Sequence, residues 1–196
     1  MRAAVFVSGT GTNFDALVAK EKEGKLNAEL VCLMSDQPQA KALQKAKAYG
    51  IPARCFVPKT YENKAAFEAD VAKWLQEQDI ELIILSGYMR IIGPTLLEAY
   101  PGRIVNLHPA LLPRFPGAHA ILDAYEAKVP QTGVTVHYID EGVDTGPVII
   151  QEPVDIDPSW SLEELEQAVH AKEYDLFYRG INQAIAHLQQ DDTKND

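Results

Sequence analysis

The sequence predicts one α/β domain: a mixed, mostly parallel sheet flanked by helices on both faces. Three observations carry that prediction. Up to about residue 100, short apolar runs alternate with stretches of helical period, the pattern of strand–helix–strand crossovers. From Arg103 onward the apolar runs return without full helical spacers, which predicts antiparallel strands added at one edge. The length of 196 residues suits a single domain that buries a sizeable core.

Residues 3–7 read as a buried strand and residues 8–13 as a tight polar loop. In residues 14–22, Phe14, Leu17 and Val18 fall on one side of a helix. Residues 29–35 form the second strand, and 40–49 the second helix, stopped by Gly50 and Pro52. A short third strand occupies 54–57. Residues 64–78 are a long amphipathic helix with Phe67, Val71, Trp74 and Leu75 inward. The apolar strand 82–85 closes on Ser86-Gly87, and a short helix at 95–99 precedes the strand 103–107. Residues 109–117 contain three prolines and read as an ordered loop, the setting in which an X–Pro bond such as Leu112-Pro113 can be cis; the sequence leaves that bond open. A helix follows at 121–127. In 133–139, Val134, Val136 and Tyr138 alternate with Thr135 and His137, which predicts a half-buried strand. Residues 140–147 are a Gly/Asp-rich loop and 148–151 a last strand. Ser161-Leu162-Glu163-Glu164 is a capping box opening a final helix to about Leu188. The domain is expected to span 1–188 and residues 189–196 to form a flexible acidic tail. Repeated right-handed crossovers make the sheet Rossmann-like.

Composition narrows the function classes. The chain is 46% hydrophobic and 23% charged, ordinary for a soluble globular protein. Its net charge is −10, and no basic stripe offers a nucleic-acid footprint. Small-molecule substrates are expected, with no nucleic acid and no membrane as partners. Cys32 and Cys55 have neither metal-ligand nor redox spacing; Cys32, in an apolar run, reads as a packing residue, and no disulfide framework is implied, which fits a cytoplasmic protein. The apolar N-terminus is interrupted by Ser8 and Gly9 and does not read as a signal peptide.

The most informative stretch is Arg103-Ile104-Val105-Asn106-Leu107-His108-Pro109. Alternation puts Asn106 and His108 on one face of a strand end. Open α/β sheets bind their ligands at carboxyl ends. An amide beside a titratable ring suits holding an oxyanion and moving a proton. Asp144 sits in Asp140-Glu141-Gly142-Val143-Asp144-Thr145-Gly146-Pro147, whose glycines allow a carboxylate to be aimed inward. A carboxylate near an imidazole favours the protonated ring. The residues alone leave a plainer reading open, in which His108 is satisfied by backbone and Asp144 caps a turn. His137 is a candidate for the second layer around the same cleft; His119 and His187 read as loop and surface residues.

Ser8-Gly9-Thr10-Gly11-Thr12-Asn13 joins the first strand to the first helix. Free N–H groups at a helix N-terminus suit a phosphate. The loop is not a Walker A motif and lacks the full dinucleotide spacing, with Asp36 the one acidic candidate closing the second strand. A plain tight turn with Thr12 or Asn13 as cap is the alternative. Ser86-Gly87-Tyr88-Met89-Arg90-Ile91-Ile92-Gly93-Pro94 also opens at the carboxyl edge. Met89, Ile91 and Ile92 would form an apolar wall and Arg90 a cation beside it, suited to a flat heteroaromatic with an anionic tail. His170 and Glu173 share a helix face, which by itself also reads as a solvated surface. No cluster has metal-site spacing and no metal is expected.

Taken in order, these motifs resemble the phosphoribosylglycinamide formyltransferase family of de novo purine synthesis. The resemblance rests on Ser8–Asn13, Gly87-Tyr88-Met89-Arg90-Ile91, and Asn106-Leu107-His108-Pro109-Ala110-Leu111-Leu112-Pro113. It continues through Phe115-Pro116-Gly117-Ala118-His119-Ala120, Thr132-Gly133-Val134-Thr135-Val136-His137 and the Asp140–Pro147 loop. It implies a formyltransferase-type fold with a nucleotide-binding N-terminal half and a folate-binding C-terminal half. It implies formyl transfer from 10-formyltetrahydrofolate as co-substrate, with Asn106, His108 and Asp144 catalytic. It implies a phosphoribosylglycinamide site at Gly11, Thr12 and Asn13 with Glu173 and His170, and a folate site of Lys64, Met89, Arg90, Ile91, Ile92 and Asn106. A monomer or weak homodimer is expected. Two positions depart from the family pattern, Arg179 for a proline and Ala110 for a common serine; neither is expected to touch the chemistry.

Related folate enzymes are less favoured. A formyltetrahydrofolate hydrolase would carry an N-terminal regulatory domain, yet the first strand begins at about Ala3. A methionyl-tRNA formyltransferase would need a basic surface and a C-terminal domain, yet this chain ends in acid. A non-catalytic nucleotide-binding module would explain the glycine loop but not Asn106, His108 and Asp144 together.

Overall fold

The computed structural model describes residues 1–194. Its elements are β1 (Arg2–Phe6), α1 (Thr12–Lys22), β2 (Glu29–Ser35), α2 (Lys41–Tyr49), β3 (Ala53–Cys55), α3 (Lys64–Glu77) and β4 (Leu82–Leu85). They continue with α4 (Pro94–Ala99), β5 (Ile104–His108), α5 (Ala120–Glu126), β6 (Gln131–Tyr138), β7 (Val148–Asp155) and α6 (Leu162–Asp192). One seven-stranded sheet runs β3-β2-β1-β4-β5-β6-β7. The pairings from β3 to β5 are parallel, and β5–β6 and β6–β7 are antiparallel, as the loss of helical spacers predicts.

Alternation along β1 builds both cores. Ala3 and Val5 join one core with Phe14 and Leu17 of α1 and Leu176 and Phe177 of α6. Ala4 and Phe6 join the other with Phe67, Val71 and Leu75 of α3 and Leu96 of α4. The strand order reverses at β1, between β2 and β4, and the carboxyl-end loops beside that switch are where open sheets hold ligands. Cys32 is fully buried, and burial pushes its thiol up to about 12, which fits a packing residue.

The structure corrects several local expectations. Helix α1 begins at Thr12, capped by Gly11 in the left-handed region (φ 73°) without a side-chain cap, so neither Thr12 nor Asn13 caps it. Strand β7 runs on to Asp155 through Pro153, a residue that argues against a strand except at a sheet edge, where β7 lies. Strand β6 is buried on both faces from Thr132 to His137, not half-buried. Its apolar side meets α6, and Thr135 and His137 are hydrogen-bonded within the protein, as described below. The capping box is present: Ser161 Oγ accepts from Glu164 N, and Ser161 N donates to the Glu164 carboxylate. That helix continues past Leu188 to Asp192, where Arg103 Nη2 donates to the Asp192 carboxylate at 2.8 Å. Residues 189–192 thus belong to α6 and not to a tail; 195 and 196 lie outside the described residues. Leu112-Pro113 is cis.

Gly180 sets how closely α6 lies on the sheet. A Cβ there would come within 2.7 Å of Val136 Cβ, so only glycine fits without displacing the strand that carries His137. Gly180→Leu is expected to cost about 3 kcal/mol by overpacking. The check is the urea midpoint at unchanged slope.

Candidate active site

Strand β5 ends in Asn106-Leu107-His108, and its antiparallel pairing with β6 sets Asn106 opposite His137. Directly opposed side chains share a face and touch. Asn106 Nδ2 donates to His137 Nε2 at 3.2 Å, and His137 Nδ1 donates to the Tyr138 carbonyl at 2.9 Å. A carbonyl only accepts, so the proton of the neutral ring sits on Nδ1 and Nε2 is the acceptor. His137 is fully buried, and that burial lowers its pKa and favours the neutral form.

His108 is 4% exposed. Its Nε2–H donates to the Phe115 carbonyl at 2.7 Å, which turns Nδ1 toward Asp144, whose Oδ2 lies 3.5 Å away. The same Oδ2 accepts the backbone N–H of Gly117 at 2.7 Å, and Oδ1 lies 3.8 Å from His137 Nε2. Asp144 is itself in the left-handed region, at φ 54°. Its loop is folded on Asp140, whose Oδ1 accepts from Gly142 N and Thr145 Oγ1. Gly146 packs directly on the Tyr138 carbonyl, where a Cβ would stand at 1.8 Å. The loop therefore needs glycine at 146 to bring Asp144 inward.

Asn106, His108 and Asp144 line one cavity of about 400 Å³. Met89, Arg90, Ile91 and Ile92 form another part of its lining. The expected apolar wall is uneven: Ile92 is buried, but Met89 is 73% and Ile91 60% exposed at the rim. The Arg90 guanidinium lies 5.9 Å from the centre of the Phe67 ring. Lys64 does not line this cavity; it is exposed at the start of α3, with its stem beside Gly93.

A second cluster joins chain positions far apart. Asn13 Nδ2 and His170 Nδ1 each donate to Glu173 Oε2 at 3.0 Å. Glu173 is 4% exposed, so the solvated-face reading fails for it, and Asn13 Oδ1 is buried without a partner. Gly11 and Thr12 adjoin this cluster at the start of α1, which has no side-chain cap. Both clusters bring together residues from the two halves of the chain. Ser8 links them. Its N–H donates to the Gly87 carbonyl, and its Oγ accepts from Met89 N and donates to Asp36 Oδ1. Asp36, 2% exposed, is a brace for this loop, a role that no spacing pattern signals.

The hydrogen bond to Glu173 raises the His170 pKa. A raised folded-state value means stability that is fully present below the unfolded pKa of about 6.5 and lost as pH rises through the folded value. His170→Gln should therefore lower the melting temperature most at about pH 5.5 and least at about pH 9. Melting curves of both proteins across that range check it.

Among the described residues no group of three or more His, Cys, Asp or Glu could hold a metal ion, and no helix is long and apolar enough to cross a membrane. Arg179 is paired with Glu152 and Asp175, and Ala110 is buried with its carbonyl accepting from Thr135 Oγ1; neither lines the cavity.

Comparison with known proteins agrees with this architecture. The formyl transferase family model matches residues 1–181. The chain is 49% identical over 182 residues to phosphoribosylglycinamide formyltransferase of Bacillus subtilis, covering 93% of each. It is 36% identical to a stretch of the trifunctional purine biosynthetic protein adenosine-3 of Drosophila melanogaster, covering 92% of this chain and 14% of that protein. Among solved structures, glycinamide ribonucleotide transformylase 1 from Geobacillus kaustophilus superimposes with a TM-score of 0.90 at 52% identity, covering 92% of this chain and 96% of that one. Phosphoribosylglycinamide formyltransferase from Bacillus halodurans gives 0.90 at 48% identity, covering 92% and 93%. With this fold, this coverage and this identity, the chain belongs to the formyl transferase family, alongside the phosphoribosylglycinamide formyltransferases of purine biosynthesis.

Proposed function

We propose that the chain transfers the formyl group of 10-formyltetrahydrofolate to the primary amine of phosphoribosylglycinamide at the Asn106–His108–Asp144 cavity. One observation carries this reading: an amide, an imidazole and a carboxylate line the same cavity, with His108 Nδ1 3.5 Å from Asp144. The neutral amine adds to the formyl carbon, and the carbonyl electron pair moves onto oxygen. Asn106 has a second amide hydrogen to give, one being held by His137. That hydrogen and the Nδ1–H of a protonated His108 meet the oxyanion. Because His108 Nε2–H is held by Phe115, the transferable proton is the one on Nδ1, where Asp144 offsets the ring's positive charge. The tetrahedral intermediate then breaks its carbon–N10 bond. N10 takes the electron pair and a proton while the attacking nitrogen gives one up, so the His108–Asp144 pair ends as it began. Tetrahydrofolate and the formylglycinamide ribonucleotide leave.

The formyl donor is assigned to the wall of Met89, Arg90, Ile91 and Ile92, with Asn106 at its reacting end; Lys64 stands outside it. The nucleotide phosphate is assigned to the backbone of Gly11, Thr12 and Asn13, and the ribose to Glu173 with His170. The start of α1, which has no side-chain cap, supports the phosphate assignment, and the buried, unpartnered Asn13 Oδ1 beside Glu173 supports the ribose assignment. A cytoplasmic monomer or weak homodimer completes the reading; the free cysteines Cys32 and Cys55 support that compartment. An absorbance assay of 10-formyltetrahydrofolate with and without the nucleotide tests it. Deformylation that requires the nucleotide is expected. Deformylation without it would make the protein a hydrolase, and binding of both ligands without reaction would make it a binding module.

A further inference from the structure

Glu68 is a charged side chain that this chemistry does not use, yet it is 2% exposed. A carboxylate that deep needs partners. Its partners are two backbone amides: Gly93 N–H donates to Oε1 at 2.6 Å and Leu96 N–H to Oε2 at 3.3 Å. These are the cap position and the third residue of α4, the amides left unpaired at a helix start. Gly93 has no side chain to cap with, so the cap is supplied from α3, 25 residues earlier in the chain. A carboxylate also complements the positive end of the helix.

This junction ends the wall formed by residues 89–92. Met89 N, at the wall's other end, is held by Ser8 Oγ at 2.9 Å. Between the two anchors, Met89 and Ile91 project outward and take little packing support. Arg90 lies over Phe67, the residue next to Glu68 on α3. A Cβ at Gly93 would stand 2.8 Å from Glu68 Oε2, so the carboxylate is pressed against the turn it holds. We infer that Glu68 is a positioning residue for the formyl-donor side of the cavity: bound through both oxygens, it sets where the Met89–Ile92 wall stands. The inference rests on the assignment of the donor to that wall.

The test is Glu68→Gln, which keeps the shape but turns one acceptor into a donor facing an N–H. Amide hydrogen exchange at Gly93 and Leu96 is read alongside kcat and both KM values. Exchange at those two amides should quicken. The KM for 10-formyltetrahydrofolate should rise about tenfold, while the KM for phosphoribosylglycinamide stays within about twofold. Glu68→Asp, with the charge kept and the reach shortened, should show the same split more weakly. Faster exchange with an unchanged donor KM overturns the inference, as do two KM values that rise together. Donor placement is read separately by Ile91→Asp. An unchanged donor KM in that variant removes the donor from this wall, and the inference falls with it for a different reason.

Discussion

His108→Ala lowers kcat by about 10²–10⁴-fold, the range for loss of a positioned acid–base group. Affinity for phosphoribosylglycinamide stays nearly unchanged, because the proposed nucleotide cluster at Asn13, His170 and Glu173 does not include His108. Asp144→Asn gives a fall of the same kind. It removes the charge that faces His108 Nδ1 while leaving an oxygen that can still accept from Gly117 N. The two losses are not additive, since both groups serve one proton. Steady-state kinetics of the single and double variants, with calorimetric nucleotide binding, check this. Near-normal turnover in both single variants removes the proposed mechanism.

Asn106→Ala lowers kcat by about 10²–10³-fold, the loss expected for one oxyanion donor. It carries a second signature. The amide's partner, His137 Nε2, belongs to a fully buried ring and loses its hydrogen bond. An unpaired buried acceptor costs about 1–3 kcal/mol, so this variant also unfolds at lower urea. His108→Ala removes both the ring and its bond to Phe115 and should leave less of such a debt. A kcat loss accompanied by lower stability at 106 separates the oxyanion donor from the proton donor.

The parallel half of the sheet was legible because its signals are local. The apolar runs 3–7, 29–35 and 82–85, each followed by a helical period, allow one arrangement. The pairing of Asn106 with His108 was legible for the same reason, being alternation within one strand end. What escaped depends on register between distant segments. No sequence period shows that Asn106 meets His137, or that the Phe115 carbonyl and the Gly117 amide hold His108 and Asp144. The alternation of Thr135 and His137 along β6 suggests a wet face, whereas both are satisfied internally. Thr135 Oγ1 donates to the Ala110 carbonyl and accepts from Leu112 N, and His137 is held by Asn106 and Tyr138. Polarity implies solvent only when the fold supplies no partner. Where Lys64 and Glu68 stand is not legible for the same reason: which turn of α3 meets α4 is a packing outcome.

The most direct measurement follows a 13C-labelled formyl group from 10-formyltetrahydrofolate in a single turnover, by NMR, with and without phosphoribosylglycinamide. The expected result is label on the amine of the nucleotide, one for each donor consumed, and no reaction when the nucleotide is left out. Labelled formate appearing without the nucleotide would contradict formyl transfer at the Asn106–His108–Asp144 cavity.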